Sequence, residues 1–219
     1  MIFKQLPAAV LWDMDGTLID SEPYWMRSEG DFASANNSTW TEQDGLSLVG
    51  MSLYDSSKII KDKVGSELDP EQIIQQLTDG VAAQLKQEIL WRPGARELLL
   101  LLRKKKVKTA LVTMSMRRMA TQVVDAIGFD CFDVIVAGDD VRQGKPHPEP
   151  YLKAAELLGV KAENCVAFED SVTGLRSAES AGTKAVGIKN IVEIPYQPGR
   201  IIWPTLEGVG MSDLRGLFK

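Results

Sequence analysis

Read for its alternation of apolar and polar positions, the chain opens on an apolar run, Ala8 to Trp12, that stops abruptly at Asp13. A run of that length suits one strand buried on both faces, as in a parallel sheet. From Ser21 to about Glu88 the strand signal disappears and the period becomes helical. SEPYWMRSEGDFASANN predicts a helix with Ser21 as N-cap, Pro23 in its first turn and Asn36-Asn37 at its end. TEQDGLSLVG and SLYDSSKIIKDKVG predict two short helices. DPEQIIQQLTDGVAAQLKQEI predicts a long amphipathic one, with Asp69 as cap and Ile73, Ile74, Leu77, Val81 and Leu85 at helical spacing. Gly80 inside it costs about 1 kcal/mol.

After Pro93-Gly94 strands and helices alternate. VKTALVTMS, FDVIVAGDD, ENCVAFEDS and TKAVGI read as strands. Between them, ARELLLLLRKKK, MRRMATQVVDAIG, EPYLKAAELLG and VTGLRSAESAG read as helices, the second closed by Gly128. Beyond Asn190 the signal weakens, with RIIWPTL as a last short strand and SDLRGLF as a last short helix. Such alternation implies an α/β fold, a Rossmann-like parallel sheet with helices on both faces and right-handed crossovers. The helical stretch is inserted after the first strand. The expected division is a core of residues 1–19 and 91–219 and an all-helical cap domain of residues 20–90 over the carboxyl edge of the sheet, hinged at Gly- and Pro-marked connections.

Composition narrows the classes. With 44% hydrophobic and 25% charged residues the chain reads as an ordinary globular domain, and its net charge of −5 with mixed signs offers no basic stripe for nucleic acid. The basic run Arg103–Lys106 closes a Leu-rich helix and reads as a solvated end complementing the helix dipole. Cys131 and Cys165 have no metal-binding spacing and read as buried thiols in a reducing compartment. The apolar run before Asp13 is too short for a signal peptide or membrane span, so the expected location is cytoplasmic.

The chemistry gathers where the strands end. Asp13 ends the first strand, and Asp13 and Asp15 share one side of an extended segment, with Met14 on the other. Two like charges so close need a cation or a shared proton, which asks for Mg²⁺ and makes one carboxylate a candidate nucleophile and the other a candidate acid/base. The second strand ends in Thr113 and Ser115, the third is followed by Lys145, and the fourth ends in Glu169-Asp170-Ser171. In a parallel sheet all four ends share an edge, where ligands bind. Acids, hydroxyls and one ammonium at that edge fit phosphoryl transfer.

At this point the chain resembles a known family. The segments WDMDGT, LVTMS, GKPHP and AFEDSVTGLRSAESAG match, in order, the four motifs of the haloacid dehalogenase-like hydrolases, and the likeness spans roughly Val10 to Ile188. It is greatest to members with a small helical cap, which include sugar-phosphate phosphatases and β-phosphoglucomutase. The resemblance implies that Asp13 is the nucleophile that becomes an aspartyl-phosphate and Asp15 the general acid and base. It implies that Thr113, Met114, Ser115 and Lys145 hold the phosphate. It also implies that Asp13, Asp15 through its backbone carbonyl and Asp170 ligate Mg²⁺, with Glu169 acting through water.

Other readings compete at several positions. Thr113 and Ser115 could cap the following helix, and His147, between two prolines, reads as loop packing. Trp25, Met26, Trp40 and Met51 read as core of the helical part, and Lys58, Lys61 and Lys63 as its solvated face. Within the family, Asp15 argues against a dehalogenase. Trp25 stands where the mutase has a histidine and Leu53 where it has an arginine, which argues for a Mg²⁺-dependent phosphatase of a small phosphomonoester. The alternatives are a mutase of the β-phosphoglucomutase type and a non-catalytic phospho-ligand-binding protein. The expected partner is a small phosphorylated metabolite, chosen by loops around Gly50–Tyr54, with no nucleic acid and no membrane. The chain is read as a monomer or weak homodimer.

Overall fold

The structure is a computed structural model and describes residues 6–49 and 51–218. Readings that fall on Met1–Gln5 and on Gly50 lie outside the described residues. Among the described residues six strands form one sheet: β1 (Ala9–Trp12), β2 (Lys108–Val112), β3 (Val134–Val136), β4 (Cys165–Glu169), β5 (Lys184–Ile188) and β6 (Ile201–Trp203). The helices are α1 (Glu22–Ala35), α2 (Glu42–Leu48), α3 (Leu53–Val64), α4 (Pro70–Leu85), α5 (Ala95–Lys104), α6 (Arg117–Ile127), α7 (Glu149–Leu157), α8 (Val172–Ser180) and α9 (Met211–Gly216). All strand pairs are parallel, in the order β3-β2-β1-β4-β5-β6. The fold is therefore the Rossmann-like α/β arrangement that the alternation predicts.

The topology places the chemistry. The chain runs from β1 outward to β2 and β3 on one side and to β4, β5 and β6 on the other, so the order reverses between β1 and β4. A crevice at such a reversal is the general ligand site of open α/β sheets. Register aligns the ends there: Trp12 pairs with Leu111 and with Phe168, and the Asp13 N–H donates to the Phe168 carbonyl at 3.0 Å. One face of the sheet is built from small residues, Ala9, Ala110 and Ala167 with Leu11 and Val112, against Tyr151, Ala154 and Ala155 of α7. Alternation turns Trp12 and Phe168 to the other face, where their rings meet edge-on at 4.9 Å.

The predicted strand at FDVIVAGDD is cut to Val134–Val136. Acid side chains take over its ends. Asp133 accepts the Thr109 N–H at 2.7 Å, and Asp140 accepts the Ala137 N–H at 2.7 Å. Arg103 is also more than a solvated helix end: its guanidinium spans Asp130 and Asp133 at 2.7 and 2.8 Å.

The chain falls into two compact units, residues up to Asp20 with Leu90 onward, and Ser21–Ile89. Where the inserted segment leaves and returns, the Asp20 N–H donates to the Leu90 carbonyl at 2.7 Å and the Arg92 N–H to the Leu18 carbonyl at 3.0 Å. The second unit holds α1 to α4 and its own core of Phe32, Leu48, Ile60, Val64, Ile73 and Leu77. Asp69 and Gln72 form a reciprocal capping box on α4, with Pro70 in its first turn. Ser21 does not cap α1 with its side chain, because its backbone is already in the right-handed helical region. Trp25 and Trp40 pack on the core, whereas Met51 is exposed, contrary to its reading as core. Lys58 and Lys63 are exposed, as their reading as a solvated face expects, with Lys63 paired to Asp44, while Lys61 is half-buried and donates to the Leu68 carbonyl.

Glu29 of α1 is buried in this unit and accepts the Trp40 indole N–H at 3.0 Å. Burial pushes its carboxyl up to about 7, with the Trp40 bond opposing. A folded value above the ordinary 4.5 means that folding favours the proton, so this contribution to stability is present at low pH and is lost as pH rises through about 7. Glu29→Gln keeps an acceptor for Trp40 without the charge. It is expected to raise the melting temperature at pH 8 by about 2–6 °C and to leave it within about 1 °C at pH 5. An equal shift at both pH values in thermal denaturation would show that the carboxyl does not titrate there.

Candidate active site

The side chains singled out at the strand ends converge. Asp13 directly follows β1 and is 8% exposed. Lys145 lies in the loop between β3 and α7. Its Nζ donates to Asp13 Oδ1 at 2.6 Å and to the Val112 carbonyl at 2.9 Å, and pairs with Glu169 Oε1 at 2.6 Å. Carboxylate oxygens of Asp13, Glu169 and Asp170 lie within 4.8 Å of one another. Asp15 Oδ2 accepts the Ser115 hydroxyl at 2.9 Å, and Thr113 Oγ1 accepts the Ser115 N–H at 3.0 Å. The helix-cap reading of Ser115 therefore fails: Met116 precedes α6, without a side-chain cap bond, and the Ser115 hydroxyl is committed to Asp15.

Local structure explains why these groups can approach. Gly16 has φ +79°, and a Cβ there would lie 2.0 Å from Asp170 Oδ2. Only glycine accepts both the left-handed backbone and that contact. Gly174, in the first turn of α8, lets the Glu169 carboxylate sit where a Cβ would otherwise be, also at 2.0 Å. The Lys145 loop is held by its N–H on the Met114 sulphur at 3.2 Å. His147 serves that loop: its Nδ1 accepts the Glu149 N–H at 3.2 Å and its carbonyl accepts the Ser177 hydroxyl at 2.6 Å.

Three of the residues that complete the site gave no signal in the sequence, or one too weak to use. The Tyr151 hydroxyl, fully buried on α7, donates to Glu169 Oε1 at 2.7 Å. The Asn190 amide donates to Asp170 Oδ2 at 2.8 Å, and Thr17 Oγ1 lies 3.4 Å from Asp170 Oδ1. Tyr151 is hidden in a helical pattern that reads as packing, and Asn190 stands where the pattern fades. Thr17, after Gly16, resembles the phosphatases rather than the mutase at that position, but nothing in the pattern points to its place beside Asp170.

The electrostatics are unbalanced. Two unit charges about 4 Å apart repel by about 4 kcal/mol at an effective dielectric constant of about 20, and one ammonium faces three carboxylates here. Burial pushes the Asp13 carboxyl well up, Glu169 adds to the shift, and Lys145 opposes it. Burial and Glu169 push Asp170 up to about 6, against its Asn190 bond. Burial works against the Lys145 ammonium, but Asp13 and Glu169 outweigh it and hold its pKa above the usual value. Burial and Glu169 also keep the Tyr151 hydroxyl protonated, and so a donor. This donor set, hard oxygens with an excess of negative charge, fits a divalent cation such as Mg²⁺.

Comparison with known proteins identifies relatives of the chain. Residues 7–182 match the family model described as haloacid dehalogenase-like hydrolase. A phosphorylated carbohydrates phosphatase of Thermotoga maritima is 31% identical over 81% of this chain and 83% of its own. A fructose-1-phosphate phosphatase of Escherichia coli K12 is 27% identical over 83% of this chain and 96% of its own. Among solved structures, a Thermotoga maritima protein described as a candidate β-phosphoglucomutase superposes with a TM-score of 0.76 at 29% identity, covering 91% of this chain and 94% of its own. From the sheet-edge constellation and these matches together, the chain belongs to the haloacid dehalogenase-like hydrolase family.

Proposed function

We propose that the protein is a Mg²⁺-dependent phosphatase that hydrolyses a small phosphomonoester, a sugar phosphate or similar metabolite, through an aspartyl-phosphate on Asp13. The observation that carries this reading is the buried trio of Asp13, Glu169 and Asp170 around a single lysine. The phosphorylated-carbohydrate phosphatase at 31% identity supports the substrate class.

In this reading Asp13 and Asp170 hold the cation with the backbone carbonyl of Asp15. Glu169 acts through water, because its Oε1 already meets Tyr151 and Lys145 and its Oε2 accepts the Ser171 hydroxyl at 3.1 Å. When bound, Mg²⁺ supplies charge neutralisation at the phosphoryl oxygens. Lys145 opposes the protonation of Asp13 that burial favours and adds a second positive charge beside the entering phosphate. An Asp13 oxygen attacks phosphorus as the bond to the alcohol oxygen breaks, and Asp15 delivers its proton to that oxygen. Asp15 then takes a proton from water, whose oxygen displaces the phosphoryl group from Asp13. Thr113, Ser115 and the Met114 backbone hold the phosphate. The inserted helical unit is proposed as the cap domain and the cytoplasm as the location. Among the described residues no helix is long and apolar enough to cross a membrane.

The mutase reading draws on the structural match to a candidate β-phosphoglucomutase. Trp25 and Leu53, at the positions of the mutase's histidine and arginine, weigh against it.

Mg²⁺-dependent release of phosphate from p-nitrophenyl phosphate is expected, and Asp13→Asn should lower turnover by at least about 10³-fold. Retention of more than a few per cent of activity would point to another nucleophile. Conversion of β-glucose 1-phosphate to the 6-phosphate would favour the mutase.

A binding prediction follows from the raised carboxyls. Below about pH 6 a cation must displace the proton that Asp170 holds, so Mg²⁺ affinity should climb as pH rises through that value. Without metal, stability from these groups is present at low pH and lost as pH rises through their folded values, and Mg²⁺ reverses the loss. At about a hundredfold excess over Kd, Mg²⁺ should raise the melting temperature by about 5–10 °C at pH 7.5 and by far less at pH 5. A gain that does not depend on pH, in thermal denaturation with and without Mg²⁺, would place the ion elsewhere.

A further inference from the structure

Asp170 is the one member of the acid trio that Lys145 does not touch directly; its Oδ2 instead accepts the Asn190 amide at 2.8 Å. An ionised carboxylate only accepts, so Asn190 must present its NH₂ group, and one oxygen of Asp170 is fixed by a neutral donor. Asn190 lies two residues beyond β5, and its position is set by the residue before it. The Lys189 N–H donates to the Trp203 carbonyl at the end of β6 at 3.0 Å. The Lys189 carbonyl accepts from Arg92 Nη2, also at 3.0 Å. Arg92 is itself pinned, since its backbone N–H donates to the Leu18 carbonyl in the loop that follows Asp15. A continuous set of bonds thus runs from the loop after Asp15 through Arg92 and Lys189 to Asn190 and Asp170, with β6 as its outer support.

We propose that Asn190 is a positioning residue for Asp170, held in place by Arg92 and β6, and that this link sets how tightly the site binds a divalent cation. The proposal rests on the cation reading given above. Asn190 makes the shorter of the two bonds to Asp170, 2.8 Å on Oδ2 against 3.4 Å from Thr17 on Oδ1, and partners of this kind typically change metal affinity by about 10–100-fold. It also gives the C-terminal stretch, weakly patterned in the sequence, a task in the chemistry of the core. Arg92 acts one step further out, through the backbone of Lys189, so its effect should pass through Asn190.

The test is Mn²⁺ binding to the full chain by calorimetry at neutral pH, with Asp170→Asn as reference. Wild type should bind one Mn²⁺ and Asp170→Asn should lose it. Asn190→Ala should weaken binding by about 10–100-fold. Asn190→Ser, a shorter donor, should fall between the two and offers a second variant should the first be unstable. Arg92→Ala should weaken binding less, and the double variant should match Asn190→Ala, because Arg92 acts through that residue. In turnover of p-nitrophenyl phosphate, Asn190→Ala should need more Mg²⁺ but recover its kcat at saturating metal, with KM for the ester unchanged. Mn²⁺ affinity within about twofold of wild type in both Asn190 variants, alongside a dead Asp170→Asn, would overturn the proposal and leave the phosphatase reading standing. Additive effects of Arg92→Ala and Asn190→Ala would remove Arg92 from the link. Failure of the wild type to bind Mn²⁺ at all would overturn both readings together.

Discussion

The structure depends on one buried ammonium shared between two carboxylates. Lys145 is 5% exposed as a side chain and meets Asp13 and Glu169 at 2.6 Å each. Without it, burial of Asp13 at the end of β1 would leave a charge that the interior could not hold. With it, the lysine neutralises one charge and the carboxylates still outnumber it. Breaking a buried pair typically costs about 3–5 kcal/mol, because the partner is left uncompensated. The residual negative charge is therefore built in, and it is the property that suits the cluster to a divalent cation.

Everything that brings the lysine to the acids is backbone geometry. The reversal of strand order between β1 and β4 opens the crevice, and register sets Trp12 level with Phe168, so that Asp13 and Glu169 leave the sheet side by side. The small face of Ala9, Ala110 and Ala167 admits α7 closely enough for Tyr151 to reach Glu169. A larger residue on that face would displace the helix, and with it the donor that fixes the carboxylate.

The sequence was most legible where one element dictated one chemistry. Strand ends carrying Asp13, Thr113 and Glu169-Asp170 announced themselves, because polar residues that stop an apolar run must lie at a sheet edge, and Lys145 showed itself in the loop after the third strand. The parallel α/β class followed from the alternation. What stayed hidden were relations across the chain. That Ser115 binds Asp15 rather than capping α6 depends on how β1 and β2 sit side by side, a pairing that no local pattern encodes. Arg103, seen as a helix end, turned out to hold Asp133 against β2, and the strand predicted from Phe132 is shorter because of acid side chains that take its N–H partners. Asn190 was invisible because its role comes from two bonds on its neighbour's backbone and not from its own surroundings in the sequence.

The inserted unit shows the alternative solution to a buried acid. Glu29 has no lysine beside it among its described partners, only an indole N–H, and its carboxyl rises to about 7, so that a proton does the neutralising. In the proposed mechanism the core cluster could not adopt that solution and still react, since a protonated Asp13 is no nucleophile. Lys145 and the hydrogen-bond donors Tyr151, Ser171 and Asn190 oppose the protonation that burial favours at these acids. In this protein the difference between the two buried carboxyl sites is the company each keeps, and in the core that company comes from strand ends, the Lys145 loop and the first turn of α7.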